Sequence, residues 1–158
     1  MEQHPLPITR RAFKRKSFSP VKLIFVVLWG LFLLLNTWTK SLEQFIDFQS
    51  ISFQWNPHPN FAGFFYFGDF TLIHEDFVAV KLGHFVGFAI FDLLVYWLLK
   101  NHPKAVVVSF VFAFLTEFFQ LYLGRDGRLY DLGIDTFGII SVYLIVSLKK
   151  AFQQNSFQ

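Results

Sequence analysis

Four long apolar runs dominate the chain, and most of its polar residues lie between them. The runs cover about residues 23–39, 82–99, 105–123 and 132–148. Each is close to the roughly 20 residues that cross about 30 Å of hydrocarbon at about 1.5 Å per helical residue. The pattern predicts an all-α membrane protein in which residues 23–148 form a bundle of four transmembrane helices.

Composition supports a membrane protein over a soluble one. The 158 residues are 54% hydrophobic and 16% charged, with a mean hydropathy of +0.44. A soluble domain carries about 25% charged residues. Four buried soluble helices are the alternative, but the chain has too little polar sequence to cover them. The absence of cysteine excludes disulfides, thiolate metal sites and cysteine nucleophiles.

Lys and Arg are distributed unevenly between the two sides of the predicted bundle. Ten of the fourteen precede the first run, follow the fourth, or lie between the second and third: Arg10, Arg11, Lys14, Arg15, Lys16, Lys22, Lys100, Lys104, Lys149 and Lys150. Cytoplasmic loops carry such an excess. We therefore expect a multi-pass protein of the cell membrane with both termini in the cytoplasm. The cytoplasmic parts are then a basic N-terminal segment (1–22) and a C-terminal tail (149–158).

The connection between the first two predicted helices, residues 41–80, is long and rich in aromatic residues. It contains Pro57 and Pro59, so it is too interrupted to span the membrane, and it is too apolar to be fully solvated. Aromatic rings favour the headgroup zone. We expect an extracytoplasmic segment that forms an interfacial or partly re-entrant cap. Whether residues 51–55 form short strand-like pieces is left open by the sequence.

Ionisable residues inside the predicted spans are costly, at about 2.5–3.5 kcal/mol each on insertion scales. His84 and Asp92 lie on one face of the second span, because eight residues complete slightly more than two helical turns. Glu117 lies in the third span and Asp135 in the fourth. His84, Glu117 and Asp135 all lie toward the predicted outer side, whereas Asp92 is about 12 Å deeper than His84.

These residues, with polar neighbours at helical spacing, define a predicted outer-leaflet site: His84, Glu117, Gln120, Arg128, Asp131 and Asp135. The groups can instead satisfy one another and fix the register of the helices. As a site, they can perform acid–base chemistry or bind a cationic or phosphorylated headgroup, with Arg128 as the anion contact. The sequence shows no recognisable metal-ligand spacing, so we expect neither metal nor cofactor.

The same residues carry a family resemblance. Lys81 and His84 belong to a Lys-x-x-His-Phe motif, and Glu117 and Gln120 form Glu-x-x-Gln. Residues 124–138 follow the pattern Gly-Arg-x-x-x-x-x-Asp-x-x-x-Asp-x-x-Gly. This ordered set resembles the VanZ-like family of small multi-span membrane proteins.

The resemblance covers about residues 78–148, and the chain departs from it in two respects. Asp135 stands where many members carry Asn, and the aromatic segment is long. The resemblance implies a place in the bacterial cell envelope and a link to tolerance of glycopeptide antibiotics of the teicoplanin type. It implies no reaction.

Three functions remain open. The first is an envelope accessory protein whose polar site binds a lipid-linked or cell-wall-related ligand, or a glycopeptide. The second is an intramembrane enzyme acting on phospholipid or polyprenyl-linked substrate, with Glu117 or His84 as general base, although the chain has no Gly-x-Ser-x-Gly elbow. The third is an ion-coupled transporter, suggested by Asp92. Membrane lipids are expected partners and nucleic acid is not, because the basic residues set topology. The oligomeric state stays open.

Overall fold

The computed structural model describes residues 19–38, 55–68, 75–125 and 127–156. Within them the chain forms five α-helices, which are α1 (Pro20–Trp38), α2 (Phe61–Phe64), α3 (Glu75–Leu99), α4 (His102–Gln120) and α5 (Leu129–Asn155). A short 3₁₀ turn, Leu121–Leu123, follows α4.

Among these residues, α1, α3, α4 and α5 are long and apolar enough to cross a membrane. The predicted four-helix, all-α architecture is therefore confirmed. The helices extend past the predicted limits, since α3 begins at residue 75 and α5 continues to residue 155. The predicted C-terminal tail is thus largely a continuation of α5. Most of the basic segment, and residues 41–54 and 69–74 of the aromatic segment, lie outside the described residues.

The two ends of the bundle can be distinguished by their contacts. Lys22, near the start of α1, donates a hydrogen bond to the Trp97 carbonyl at 3.2 Å, near the end of α3. Lys150, near the end of α5, lies 5.1 Å from the Tyr96 ring centroid. We call this end, which contains the α3–α4 turn, the turn end. The opposite end, where α3 and α5 begin, is the cap end. Their predicted sidedness in the membrane stays a prediction.

A core of aromatic rings joins α3 to α4 between these ends. Phe88 and Phe91 are buried, and Phe91 stacks on Phe112 with ring centroids 4.5 Å apart. The indole of Trp29 in α1 donates to the Gly87 carbonyl at 2.9 Å. Many other large apolar side chains face outward, as expected of helices that contact lipid.

Glycines set two close approaches that position the cap end. A Cβ on Gly138 would clash with the Phe85 carbonyl oxygen, so α5 crosses α3 in near contact there. A Cβ on Gly87 would lie 2.8 Å from Leu33 Cδ2, whereas one on Gly83 would meet nothing within 4 Å. Of these two small residues on α3, only Gly87 therefore makes a close helix contact.

Candidate functional site

Three helices bring ionisable side chains together at the cap end. His84 lies on α3, Glu117 on α4 and Asp135 on α5. His84 Nδ1 lies 3.1 Å from Asp135 Oδ1 and 3.9 Å from Glu117 Oε1. The near contact of Gly138 with α3, one helical turn beyond Asp135, allows this approach. We call His84, Glu117 and Asp135 the inner triad.

The inner triad is enclosed within the protein. Glu117 and Asp135 are 0% exposed, and the His84 side chain is 14% exposed. Asp135 Oδ2 is buried and accepts no hydrogen bond from the residues that the structure describes. A buried carboxylate oxygen without a donor is costly. The triad therefore has capacity to bind one more positive or donating group.

Glu117 is fixed by two donors. The Gln120 side-chain amide donates to Glu117 Oε1 at 2.7 Å, and the Arg128 backbone amide donates to Oε2 at 3.2 Å. Arg128 is the N-cap residue of α5, so Glu117 lies where the helix dipole favours a negative charge. Gly127 makes this approach possible, because a Cβ there would clash with the Glu117 carbonyl oxygen.

A second ionic contact lies outside the triad. Lys81 Nζ lies 2.6 Å from Asp131 Oδ1, and the Lys81 side chain is 18% exposed. The ammonium also lies 4.9 Å from the ring centroids of Phe77 and Tyr130. These contacts fit a structural role for Lys81. They also place a positive group at the exposed edge of the site.

The described part of the aromatic segment, residues 55–68, lies against the cap end. The Asn56 amide donates to the Tyr122 carbonyl at 2.7 Å, and the Trp55 ring stacks on Tyr122. Phe61 of α2 stacks on Phe118. This supports the predicted cap for the described part, which contains no strand.

Arg128 connects that cap to the site. Its Nη1 donates to the Gly63 carbonyl at 2.6 Å, and its guanidinium lies 5.2 Å from the Tyr66 ring centroid. The Asn60 side chain accepts from the Ala62 and Gly63 amides and so holds the loop in shape. Sequence reasoning missed these cap residues, since no pattern within residues 55–68 indicates which helix end they contact.

The structure brings all six predicted site residues to the cap end. His84, Glu117, Gln120, Arg128, Asp131 and Asp135 are all buried or half-buried there. Whether they form a functional site stays a prediction. Asp92 does not join them, and lies at the turn end with His102 and Ser109.

Asp92 has two partners that the sequence did not indicate. His102 Nε2 lies 2.9 Å from Asp92 Oδ2, and the Ser109 hydroxyl donates to Oδ1 at 3.2 Å. His102 follows the short turn after α3, where α4 begins with it, and its side chain is buried. His102 follows Asp92 by ten residues, across the turn between α3 and α4. This spacing was the signal in the sequence, because the start of α4 lies beside the end of α3.

The inner triad also has a composition that suits metal ions. Each residue offers one ligand atom, and the three atoms lie within 4.8 Å of one another. The expectation of no metal site rested on ligand spacing along the sequence. Ligands from three separate helices produce no local spacing motif. The lack of such a motif in the sequence therefore gives no information about metal binding by the inner triad.

These features define a small multi-pass membrane protein with a cluster of buried ionisable side chains at one end of its bundle. The family model that describes VanZ/LLP1 matches residues 21–150, and the chain belongs to this family. It is 33% identical over 132 residues to the "Uncharacterized membrane protein YwnJ" of Bacillus subtilis (strain 168), an alignment that covers 82% of this chain and 93% of that protein. No solved structure matches the chain significantly.

Proposed function

We propose that the cap end binds the polar headgroup of a membrane lipid or lipid-linked cell-wall intermediate, and thereby contributes to tolerance of teicoplanin-type glycopeptides. One observation carries this proposal. Costly ionisable groups from three helices face one another at one end of the bundle, and Lys81 and His84 are partly exposed at its edge. Ionisable residues inside a membrane that are retained at this cost usually mark a functional site.

The chemistry of the cluster suits a phosphate-bearing headgroup. Lys81 and Arg128 supply positive charge for phosphate oxygens. The carboxylates and the Gln120 amide supply groups that hydrogen-bond to hydroxyl or amine substituents. The aromatic cap contacts the cluster through Arg128, and aromatic rings favour the headgroup zone. An amphiphile could place its headgroup in the cluster while its chains remain in the bilayer.

Binding can be tested directly with tag-free protein in nanodiscs and two probes, a polyprenyl-pyrophosphate-linked cell-wall precursor and phosphatidylglycerol. We expect one probe to be retained by the native protein and Glu117→Gln to weaken that retention by at least about tenfold, because an altered buried polar contact loses about 2–5 kcal/mol. Asp92→Asn, at the other end of α3, is the matched control. Equal retention by all three proteins, or retention of neither probe, contradicts the proposal.

The contribution to tolerance has its own test. The chain is expressed in Bacillus subtilis lacking YwnJ, and the minimal inhibitory concentration of teicoplanin is measured. We expect it to rise with the native chain and with Asp92→Asn, but not with Glu117→Gln at equal membrane abundance. No rise with the native chain removes this part of the proposal.

Sidedness decides whether the site faces the outer leaflet. The chain has no cysteine, so single cysteines report position without interference. We expect His58→Cys, in the cap, to react with an impermeant thiol reagent on intact cells, and Lys104→Cys, at the turn end, to react only after lysis. The reverse pattern contradicts an outer-leaflet site.

An intramembrane enzyme is a second candidate, supported by the 3.1 Å contact of His84 with Asp135. A carboxylate that orients an imidazole is a common arrangement for a general base. Turnover of a labelled phospholipid or polyprenyl-linked substrate, lost in Glu117→Gln and kept in Asp92→Asn, would support it. The transporter hypothesis rested on Asp92, and the pairing of Asp92 with His102 and Ser109 favours a structural role for that residue.

A further inference from the structure

We propose that His84, Glu117 and Asp135 bind one divalent metal ion, with Zn²⁺ the best fit. The proposal rests on the geometry of the inner triad and does not depend on lipid binding. The three residues come from three different helices, so an ion would join α3, α4 and α5 at the cap end. The distances, the charges and the groups that orient the ligands all support it.

The distances are close to those around a metal ion. Zn²⁺ binds nitrogen and oxygen ligands at about 2.0–2.2 Å, which places neighbouring tetrahedral ligand atoms roughly 3.3 Å apart. His84 Nδ1 lies 3.1 Å from Asp135 Oδ1 and 3.9 Å from Glu117 Oε1. All three ligand atoms fall within 4.8 Å of one another. Small side-chain rotations would therefore complete the coordination.

The triad has more acidic groups than basic ones. It contains two carboxyl groups and one imidazole, and when both carboxyl groups are ionised even a protonated imidazole offsets only one of them. Glu117 and Asp135 are 0% exposed, so water does not screen them. Asp135 Oδ2 is buried and accepts no hydrogen bond from the described residues. A divalent ion would balance both carboxylates and give this oxygen a positive neighbour.

The surroundings of Glu117 resemble the outer shell of a metal site. Gln120 and the Arg128 amide each donate to one of its oxygens and fix its orientation. Such partners typically change metal affinity by about 10–100-fold when they are removed. Three protein ligands would leave a fourth position for water or another ligand, as in catalytic zinc sites.

The ligand types select among metals. One imidazole with two carboxylates, and no thiolate, suits Zn²⁺, and such a site binds Mn²⁺ more weakly. Mg²⁺ and Ca²⁺ prefer sites made of oxygen ligands only. We therefore expect Zn²⁺ to bind more tightly than Mn²⁺, and Mg²⁺ to compete poorly.

The experiment uses full-length protein without a histidine tag, purified in detergent, stripped with a chelator and dialysed against micromolar Zn²⁺. Metal content is measured by mass spectrometry and affinity by calorimetry. We expect one Zn²⁺ per chain in the native protein, and at least about a tenfold loss of affinity in both Asp135→Asn and Glu117→Gln. Co²⁺ substitution should give a visible absorption band in the native protein that both variants lack.

Two controls separate this site from surface binding and from misfolding. Asp92→Asn and His58→Gln, which lie outside the triad, should retain the ion with native affinity. Each variant must elute as a single species and show native helical content, and Gln120→Ala should weaken affinity while still binding one ion. A native protein without stoichiometric Zn²⁺, or equal affinity in the native protein and the triad variants, overturns the proposal.

The metal and lipid proposals can fail separately. Metal content is measured without lipid, and lipid retention is measured with and without chelator. Stoichiometric Zn²⁺ with no retained lipid leaves the metal site intact and overturns the headgroup proposal. Retained lipid without stoichiometric Zn²⁺ supports the headgroup proposal and overturns the metal site.

Discussion

In the part of the chain that the structure describes, buried ionisable residues form one group at each end of the bundle, and the two groups differ in their ratio of acidic to basic side chains. The turn-end cluster is Asp92, His102 and Ser109. The cap-end cluster contains the inner triad and its neighbours. His84 and Asp92 are eight residues apart on α3, about 12 Å along the helix, so one helix contributes to both. At the turn end one acid faces one imidazole, whereas the inner triad has two acids for one imidazole and a buried Asp135 oxygen without a donor among the described residues.

The turn-end cluster is nearly complete. It has one carboxylate and one imidazole, and each Asp92 oxygen has a partner. Although His102 Nδ1 has no hydrogen-bond partner among the described residues, the ring stacks on Tyr96 at 4.4 Å and lies 5.1 Å from Tyr143. A single unpaired imidazole nitrogen costs less than an unpaired carboxylate oxygen. We interpret this cluster as a latch that joins α3 to α4.

The inner triad at the cap end is different, because it has two carboxylates for one imidazole and an unpartnered Asp135 oxygen. A latch needs no surplus charge. A binding site often carries one, and this surplus lowers the stability of the protein until the ligand offsets it. Substitutions at the two ends should therefore change the free energy of unfolding by different amounts, from the largest at the latch to the smallest in the triad.

Breaking the turn-end latch should have the largest effect. His102→Ala leaves Asp92 fully buried with only the Ser109 hydroxyl as a partner. Leaving a buried carboxylate without its principal partner costs about 3–5 kcal/mol. Reversible unfolding in mixed detergent micelles measures the loss. His58→Ala, an exposed cap residue, should change stability by less than about 0.5 kcal/mol. Equal losses in the two variants would show that the latch contributes nothing.

Separating α3 from α5 should come next. Gly138→Ala places a Cβ against the Phe85 carbonyl oxygen, whereas Gly133→Ala on the same helix meets nothing within 4 Å. We expect a loss of about 1–3 kcal/mol from overpacking in the first variant. The second should gain up to about 1 kcal/mol from helix propensity. Unfolding of the two proteins in parallel measures the difference, and a stable Gly138→Ala would contradict the close contact.

Removing the cap-end ion pair should have a smaller effect than breaking the latch. Lys81→Met leaves Asp131 without its ammonium partner, but the Lys81 side chain is 18% exposed and reaches the polar edge. Exposed pairs contribute about 1 kcal/mol or less, whereas breaking a fully buried pair costs about 3–5 kcal/mol. We therefore expect a loss of about 1–3 kcal/mol for this mostly buried pair with one exposed edge. The same unfolding assay measures this loss, with Lys104→Met, exposed at the turn end, as the control. A loss as large as that of His102→Ala would mean that the two ends do not differ as proposed.

The spans and the polar stripes could be predicted from the sequence because both follow from local patterns. Apolar length identifies a transmembrane helix, and three- and four-residue spacing places residues such as Glu117 and Gln120 on one face. Ionisable groups within a membrane avoid lipid, so the polar faces of the helices were expected to face one another. The four-helix fold and the grouping of the six polar residues at one end are therefore consequences of the residue pattern alone.

The contacts between helices could not be predicted in the same way. Spacing along one helix does not fix its rotation or depth against another, which here depends on close approaches such as Gly138 on Phe85. The pairing of Asp92 with His102 and the contact of Arg128 with Gly63 both depend on such packing. For the same reason, a metal site built from three helices leaves no spacing motif.

Replacing a carboxylate by its amide should change stability least at the cap end, and this sharpens the comparison. Glu117→Gln keeps the shape of the side chain and removes one of two buried carboxylates in the triad. The amide nitrogen replaces one oxygen that accepts from Gln120 or Arg128, but the substitution also removes a buried charge. Because these two effects offset each other, we expect the free energy of unfolding without metal to change by only about 1 kcal/mol. Asp92→Asn removes the matched acid of the latch and should cost more. Metal binding should show the reverse order, with loss in Glu117→Gln and none in Asp92→Asn. If Glu117→Gln is the more destabilising change and still binds Zn²⁺, the cap-end cluster is a second latch.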